Sequence, residues 1–312
     1  MSEDNVKDTN VSEKDQMLSF VSEMKQTTNK KYEDYSREAA ANISKADPKL
    51  VQRIKFKVHE VDLPSGGKVY PPDHPLFLNG GVVEIRQMTA ADEDILNDRQ
   101  AIKKNNVLEN LLRECITKPE GLNIDDLIAA DKMMILVALR VTGIGAEYKV
   151  NLECASCEKE FPNTYMLNKM EVRRLNENVS LTPVEETGIN RFKFKTPSGY
   201  NVEIKLLNGN EEKMLEQQAE MRQKKGVSQR GMTVQRMMYI IQSIDGETDK
   251  GKIKDMLDLM NIGDSKFIRE MYNEISPEIK FLDNELMCPH CYETNDYSIP
   301  IGIGFFWPEL AK

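Results

Sequence analysis

Four cysteines form two Cys-x-x-Cys pairs that lie far apart in the chain: Cys154 and Cys157 in LECASC, and Cys288 and Cys291 in LMCPHC. Each pair could supply half of a tetrahedral metal site, or it could act as a redox couple. Zinc prefers soft sulfur donors and is satisfied by a closed site of four thiolates. We therefore predict one structural zinc ion bound by all four sulfurs, with iron as an alternative metal.

The second pair resembles a redox motif and also contains a histidine. CPHC is also a thioredoxin-type redox sequence, but such a motif needs a helix N-terminus directly after it. The residues that follow, YETNDYSIPIGIG, contain Pro300 and alternating Ile and Gly, which do not predict that helix. His290 lies between Cys288 and Cys291, and we expect it not to be a ligand because a tight knuckle turns such side chains outward. A disulfide, or no metal, remains an alternative.

Composition limits the class of protein. The 312 residues carry a net charge of −9 and are 40% hydrophobic and 30% charged, which is typical of a soluble globular protein. No apolar run approaches the roughly 18 residues of a membrane span, and the polar N-terminus predicts no secretory signal. Five cysteines are too few for a disulfide scaffold, and we expect Cys115 to be a buried apolar residue. The acidic balance argues against broad nucleic-acid binding.

Three regions are predicted from the change in patterning along the chain. Residues 1–47 are polar and form an arm, either flexible or docking through MLSFVSEM at 17–24. Residues 48–165 form a first α+β half and residues 166–312 a second, each ending in a Cys-x-x-Cys knuckle. The predicted fold class is thus α+β, with two related strand and helical-bundle halves joined by a split, zinc-ribbon-like knuckle pair.

An internal duplication is indicated by the way the second half can be laid on the first. Val83-Glu84-Ile85-Arg86 aligns with Val202-Glu203-Ile204-Lys205, and a Pro-Ser-Gly turn precedes both. The first copy inserts a Pro-rich loop between turn and strand. The shared order of turn, strand, acidic helix start, helices and knuckle favours duplication over chance similarity.

The helical pattern predicts two bundles. Thr89 is a candidate N-cap for the first helix, and acidic residues follow it as the helix dipole favours. The predicted helices are 92–103, 106–117, 123–128 and 130–141 in the first half, and 210–224, 232–244, 250–259 and 264–275 in the second.

No catalytic constellation is evident. The chain has only three histidines, His59, His74 and His290, and none lies in a known nucleophile or metalloprotease pattern. The C-terminal segment is unusual because it places Phe305 and Phe306 beside the single tryptophan, Trp307. We expect Ile299, Ile301 and Ile303 to pack in the core, and Phe305-Phe306-Trp307 to contact a partner.

The chain resembles the baseplate hub assembly proteins of T4-like, contractile-tailed bacteriophages. The similarity lies in Gly67-Lys68-Val69-Tyr70-Pro71, in VEIRQMTAADEDIL at 83–96, in LIAADKMMILVALRVTGIGAEY at 127–148 and in both knuckles. It covers most of residues 60–165 and the last few tens of residues. The Met-Thr-Ala acidic element is more distinctive than Cys-x-x-Cys alone.

The resemblance implies a non-enzymatic role in building the tail baseplate. The protein would be made in the host cytoplasm and would bind other baseplate proteins, either as an assembly chaperone or as a virion component. The alternative hypothesis is a zinc-ribbon nucleic-acid-binding or regulatory protein. That alternative requires a basic face near the knuckles, whereas their neighbours, EKEF and YETND, are acidic or neutral.

Overall fold

The structure is a computed structural model that describes residues 57–177, 179–224, 231–281, 285–297, 299 and 301–306. All of these residues belong to one compact unit. The predicted N-terminal arm, 1–47, and Trp307 lie outside the described residues. The described part has both helices and several small sheets, which confirms the predicted α+β class.

The first sheet is antiparallel, with three strands in the order β1-β2-β3. Its central strand buries Val83 and Ile85 on one face, which is the alternation expected of a strand with one side on a core. The strands are β1 Val58–Asp62, β2 Val82–Arg86 and β3 Ile116–Lys118. The helices between them in the chain are α1 Pro75–Leu78, α2 Asp92–Leu96, α3 Arg99–Lys103 and α4 Val107–Cys115.

Helix α5, Ala129–Gly143, lies in the core and packs against β1, β2 and α4. Its buried residues include Ile135, Leu136 and Val137, which are consecutive and therefore point to different sides of the helix. A helix that is apolar all round is buried in a core rather than lying on a surface. In the part of the chain that the structure describes, no helix has the length and apolarity to cross a membrane.

The second sheet is also antiparallel, with the order β7-β8-β9-β10. Phe192 faces Ile204 and Phe194 faces Val202 across β8 and β9, and all four side chains are buried. Such cross-strand apolar pairs stabilise one face of a sheet. The strands are β7 Glu185–Gly188, β8 Arg191–Lys195, β9 Asn201–Ile204 and β10 Ile241–Ile244. The helices are α6 Gly209–Lys224, α7 Met232–Ile240, α8 Lys250–Leu259 and α9 Ile262–Ile275.

Two-stranded antiparallel sheets complete the described fold. Two of them are hairpins that carry the cysteine pairs, and the third joins distant parts of the chain. The hairpins are β4 Glu147–Glu153 with β5 Glu160–Met166, and β12 Glu285–Met287 with β13 Thr294–Asp296. The third sheet pairs β6 Met170–Arg173 with β11 Glu278–Phe281, and helix α10, Ile303–Phe306, follows the second hairpin.

The two larger sheets are linked where the start of α6 packs against the segment before α5. The backbone N–H of Gly209 donates to the carbonyl oxygen of Leu127 at 2.9 Å, and Ile128 forms an isolated β-bridge with Asn208. A Cβ atom at Gly209 would lie 3.0 Å from the carbonyl oxygen of Asp125. Glycine therefore permits a close backbone contact between the two regions.

The structure corrects three predicted helices. In place of the predicted helix 123–128 there is a single 3₁₀ turn, Ile124–Asp126, and Leu127 after it is extended. The predicted helix 92–103 is two helices, because the side chain of Asp98 accepts a hydrogen bond from the backbone N–H of Gln100 and begins α3. The predicted helix 232–244 ends at Ile240. The residues after it form β10, because pairing with β9 buries apolar side chains that a longer helix would point elsewhere.

The prediction that Thr89 is an N-cap is wrong. Its hydroxyl group donates to the carboxylate of Asp92 at 3.0 Å, whereas an N-cap side chain accepts from a backbone N–H. Asp92 also accepts a hydrogen bond from the backbone N–H of Thr89 at 2.7 Å. The acidic residue, rather than the threonine, organises the start of α2.

The predicted partner contact through Phe305 and Phe306 is wrong, because both side chains are fully buried within this chain. The ring of Phe305 lies edge-on to Tyr148, with centroids 5.1 Å apart, and edge-on to Phe306, with centroids 5.3 Å apart. Ile299 is buried as predicted. The end of the described chain thus completes the core beside β4.

Candidate metal centre

The two hairpins bring all four predicted cysteines together. Strand β4 ends one residue before Cys154, and β12 ends one residue before Cys288. The four Sγ atoms all lie within 4.8 Å of one another. Two approaches join the two hairpins: the Sγ atoms of Cys154 and Cys291 lie 3.6 Å apart, and those of Cys157 and Cys288 lie 3.8 Å apart.

The two knuckles have the same backbone geometry. The N–H of Cys154 donates to the carbonyl of Lys159 at 3.0 Å, and the N–H of Cys288 donates to that of Glu293 at 2.9 Å. In each knuckle the residue after the second cysteine has a positive φ, 58° at Glu158 and 61° at Tyr292. The equal turns present each cysteine pair to the other in the same way.

The sulfur cluster has the dimensions of a tetrahedral thiolate site. Four sulfurs at the zinc–sulfur distance of about 2.3 Å from one ion lie about 3.8 Å apart at the corners of a tetrahedron. The observed cross-hairpin distances of 3.6 and 3.8 Å fit that spacing. Within the described residues, this is the cluster of metal-ligating side chains close enough to share an ion.

The thiols also perturb one another's ionisation. Burial acts to raise the pKa of Cys154, but the backbone N–H groups of Cys157 and Ser156, with the facing thiols, lower it to about 6. The backbone N–H of Glu293 favours the thiolate of Cys291, yet desolvation and the three neighbouring thiols raise its pKa to about 12. A cation bound between the sulfurs would favour their ionised forms, because its charge compensates the repulsion between neighbouring thiolates.

Residues around the cysteines fix the two hairpins to each other. The ring of Phe161 lies edge-on to Tyr297, with centroids 5.6 Å apart, and the side-chain amide of Asn295 lies 3.8 Å from the Sγ of Cys154. His290 lies outside the sulfur cluster, with its Nε2 atom 3.2 Å from the carbonyl oxygen of Glu160. These cross-hairpin contacts were not predicted, because they join residues at least 130 positions apart.

Arg140 was also missed by sequence reasoning. It is 1% exposed and donates to the carbonyl oxygens of Phe305 at 2.7 Å and Glu147 at 2.9 Å. Its guanidinium lies over the rings of Tyr148 and Phe305, and burial lowers its pKa. An arginine that follows the apolar run MMILVAL in this helix was the available signal, since an unpaired charge is rarely placed in a core without acceptors.

The histidines have separate places in the structure. The Nδ1 atom of His74 accepts from the backbone N–H of Leu76 at the start of α1, and its ring stacks on Tyr70. His59 lies in β1. Cys115 is buried away from the sulfur cluster, as predicted, and burial raises its pKa to about 12.

The sequence matches the model of the family described as T4 bacteriophage base plate protein over residues 54–307. Comparisons with the curated proteins and with the solved structures find no match. The family match begins before β1 and extends past both cysteine hairpins to the C-terminal aromatic residues. Because it spans well over half of the 312 residues, the chain belongs to the T4 bacteriophage base plate protein family.

Proposed function

We propose that the protein is a non-enzymatic structural or assembly component of the baseplate hub in a phage tail, held rigid by one structural zinc ion. The observation that carries this proposal is the convergence of four cysteine sulfurs from two distant hairpins, both inside the family match. A baseplate part must transmit force between its neighbours, and a metal clamp stiffens hairpins that have little core of their own.

The zinc ion would be held by Cys154, Cys157, Cys288 and Cys291. The cross-hairpin sulfur distances of 3.6 and 3.8 Å support zinc. The set of four thiol donors also supports it, because zinc needs no open coordination position in a structural site. Binding to four thiolates contributes on the order of 10 kcal/mol of apparent folding free energy. The ion would thus tie residues near the middle of the chain to residues near its end.

The proposal includes an internal duplication with halves 48–165 and 166–312. A repeated hydrogen bond supports it: the N–H of Ser65 donates to Asp131 at 3.0 Å, and the N–H of Ser198 donates to Asp264 at 3.1 Å. In both cases the serine belongs to a Pro-Ser-Gly turn, and the aspartate lies 66 residues later in the first turn of a long helix.

A repeated ion pair gives independent support to the duplication. Arg86 pairs with Asp92 at 2.7 Å, and Lys205, at the aligned position, pairs with Glu211. Arg86 is the last residue of β2, Lys205 directly follows β9, and each acid lies in the first turn of the next helix. The strand order β1-β2-β3 in the first half corresponds to β8-β9-β10 in the second, where β7 adds a fourth strand beside β8.

The nucleic-acid-binding alternative gains no support from the residues beside the cysteines. Exposed glutamates flank both hairpins, and Lys159 is the one basic residue among them. A nucleic-acid surface needs a surplus of Lys and Arg facing the phosphates. The redox alternative also lacks its helix, because β5 and β13 follow the two cysteine pairs.

The location of the protein can be tested in infected cells. We expect the chain in purified tails or in baseplate assembly intermediates, detected by mass spectrometry of gradient fractions. Recovery in finished tails would identify a virion component, and recovery in intermediates alone would identify an assembly factor made and used in the host cytoplasm. Absence from both fractions would contradict the proposed function.

A cysteine variant tests whether the metal site is needed for tail assembly. A phage carrying Cys288→Ser should yield few complete tails and accumulate baseplate intermediates, because the second hairpin would lose its clamp. Cys115→Ala is the matched control, since Cys115 is buried but lies outside the sulfur cluster. Equal tail yields from the two variants would show that tail assembly does not require the metal site.

A further inference from the structure

The second knuckle exposes two large apolar side chains beside the metal site. Met287 is 61% exposed and immediately precedes Cys288, while Tyr292 is 73% exposed and immediately follows Cys291. Met287 pairs across the hairpin with Thr294, which is also exposed. The outer face of this hairpin therefore presents apolar groups that the core of the chain does not use.

Tyr292 occupies a turn position that both knuckles share. Its φ of 61° lies in the left-handed region, as does the φ of 58° at Glu158, the equivalent residue of the first knuckle. The turn therefore belongs to the knuckle and does not depend on an aromatic ring at this position. Because 73% of Tyr292 is exposed, packing within the described residues does not account for a large apolar group there.

The surface around these two side chains is acidic. Five exposed glutamates lie within three residues of a clustered cysteine, and Lys159 is the one basic residue in the same two segments; the glutamates are Glu153, Glu158, Glu160, Glu285 and Glu293. Four thiolates around one divalent ion would add two further negative charges. The two segments meet, because the His290 ring touches the backbone of Glu160.

We propose that this knuckle end, formed by Met287, Tyr292 and the surrounding glutamates, is a docking surface for another protein that presents an apolar pocket ringed by Lys and Arg. Methionine and tyrosine are enriched where proteins bind each other, and a tyrosine ring is a common anchor. The acidic rim repels nucleic acid and anionic surfaces and favours a basic protein face. The metal clamp would hold the anchors in place before binding, which lowers the entropic cost.

The inference rests on the proposed baseplate function and names the surface that the protein uses there. It also replaces the predicted contact through Phe305 and Phe306, which are buried. The partner is specified by its chemistry alone. A second copy of this chain would be a poor partner at the same surface, because two acidic knuckle ends repel each other.

The test is photo-cross-linking in infected cells. The full-length chain is made with a photoreactive phenylalanine analogue in place of Tyr292, and tails and assembly intermediates are irradiated and analysed by mass spectrometry. The matched control carries the analogue at Leu259, which is 88% exposed but lies at the end of α8, away from the cysteine hairpins. We expect position 292 to cross-link to a different tail protein, through a surface with more Lys and Arg than Asp and Glu.

The outcomes separate the inference from the proposed function. If the chain is absent from tails and intermediates, the proposed function fails and the inference fails with it. If the chain is present but position 292 forms no cross-link, or links to an acidic or neutral surface or to another copy of the chain, only the docking inference is overturned.

A second test uses alanine variants instead of the photoreactive analogue. The double variant Met287→Ala/Tyr292→Ala should lower the amount of the chain recovered per tail by about tenfold, the effect of losing an interface anchor. Leu259→Ala/Ile262→Ala, which removes two side chains at least 84% exposed, should leave recovery within about twofold. Equal recovery of the two variants, with both folded and binding metal, would overturn the docking surface.

Discussion

The two Pro-Ser-Gly turns make the same contact in different surroundings. In the first half, Asp131 accepts hydrogen bonds from the N–H and the hydroxyl of Ser65 and from the hydroxyl of Tyr70, both hydroxyl contacts being 2.6 Å. In the second half, Asp264 accepts from the N–H of Ser198 and from the side-chain amide of Asn261. Ser65 is buried, whereas Ser198 is exposed.

The surroundings change the electrostatics in opposite directions. Burial raises the pKa of Asp131 despite its three hydrogen bonds. Burial acts in the same direction on Asp264, but hydrogen bonds from Ser198 and Asn261 outweigh it and lower the pKa. Tyr70 belongs to the Pro-rich insertion, which the second half lacks. The repeated contact agrees with the proposed duplication. Both aspartates are buried, and the insertion adds the Tyr70 hydroxyl to the first contact alone.

The largest expected effect is the loss of the bound metal, which tests whether both hairpins hold the same ion. Cys154→Ser and Cys288→Ser take one ligand from each hairpin, so both should release the metal and lower the free energy of unfolding by a similar amount. Loss of a thiolate site that contributes on the order of 10 kcal/mol should exceed the effect of any other single change considered for this chain. Metal analysis and denaturant unfolding measure both effects. Retention of metal by either variant would show that the halves contribute unequally.

The next effect compares a buried arginine with an exposed one. Arg140→Ala should lower the free energy of unfolding by about 3 kcal/mol, because two buried carbonyl groups lose their donor and a cavity forms. Arg236→Ala breaks a bidentate pair with Glu212, but the two side chains are 44% and 27% exposed, so we expect about 0.5–1 kcal/mol. Urea unfolding of both variants measures the difference. Equal losses would contradict the role of Arg140 in seating the end of the chain.

A smaller effect compares the two serines. Ser65→Ala removes a buried hydroxyl donor from Asp131 and should cost about 1–2 kcal/mol. Ser198→Ala retains the backbone N–H that contacts Asp264 but removes the hydroxyl that accepts from the Asn261 amide at 3.0 Å, so at this exposed position it should cost about 0.5 kcal/mol. Thermal unfolding of the two variants would measure this difference. A larger loss at Ser198 would contradict the greater importance of the buried serine.

The smallest effect is a difference in pH dependence. Between the unfolded pKa of about 3.9 and the raised folded pKa of Asp131, the folded state holds more protons, so its contribution to stability falls as the pH rises. The pKa of Asp264 is lowered, so its contribution is present above about 3.9 and is lost as the pH falls through the folded value. Comparing wild type with Asp131→Asn and Asp264→Asn near pH 4 should give slopes of opposite sign. Slopes of the same sign would show equivalent surroundings.

The parts of the structure that could be predicted are those set by local chemistry. The type and spacing of the cysteines predicted the two knuckles, because a Cys-x-x-Cys knuckle needs only its own turn to present two sulfurs, and the four sulfurs do lie together. The strand predicted at Val83-Glu84-Ile85-Arg86 forms most of β2. The acidic helix starts followed from the helix dipole.

The parts that could not be predicted depend on distant partners. The end of α7 at Ile240 is set by pairing of the next residues with β9, and no local signal marks that boundary. We expected Phe305 and Phe306 to contact a partner, but both are buried in the core. Tyr148 and Arg140, more than 150 residues earlier in the chain, contact Phe305 there. Local sequence patterns do not predict the burial of these residues, because it depends on which distant segments of the chain pack together.

The most direct test of the zinc clamp is X-ray absorption spectroscopy at the zinc edge of the full-length protein, together with metal quantitation. We expect one zinc ion per chain, coordinated by four sulfurs at about 2.3 Å with no nitrogen or oxygen ligand. Coordination by two sulfurs with nitrogen or oxygen, or a stoichiometry well below one, would contradict a single ion held by both hairpins.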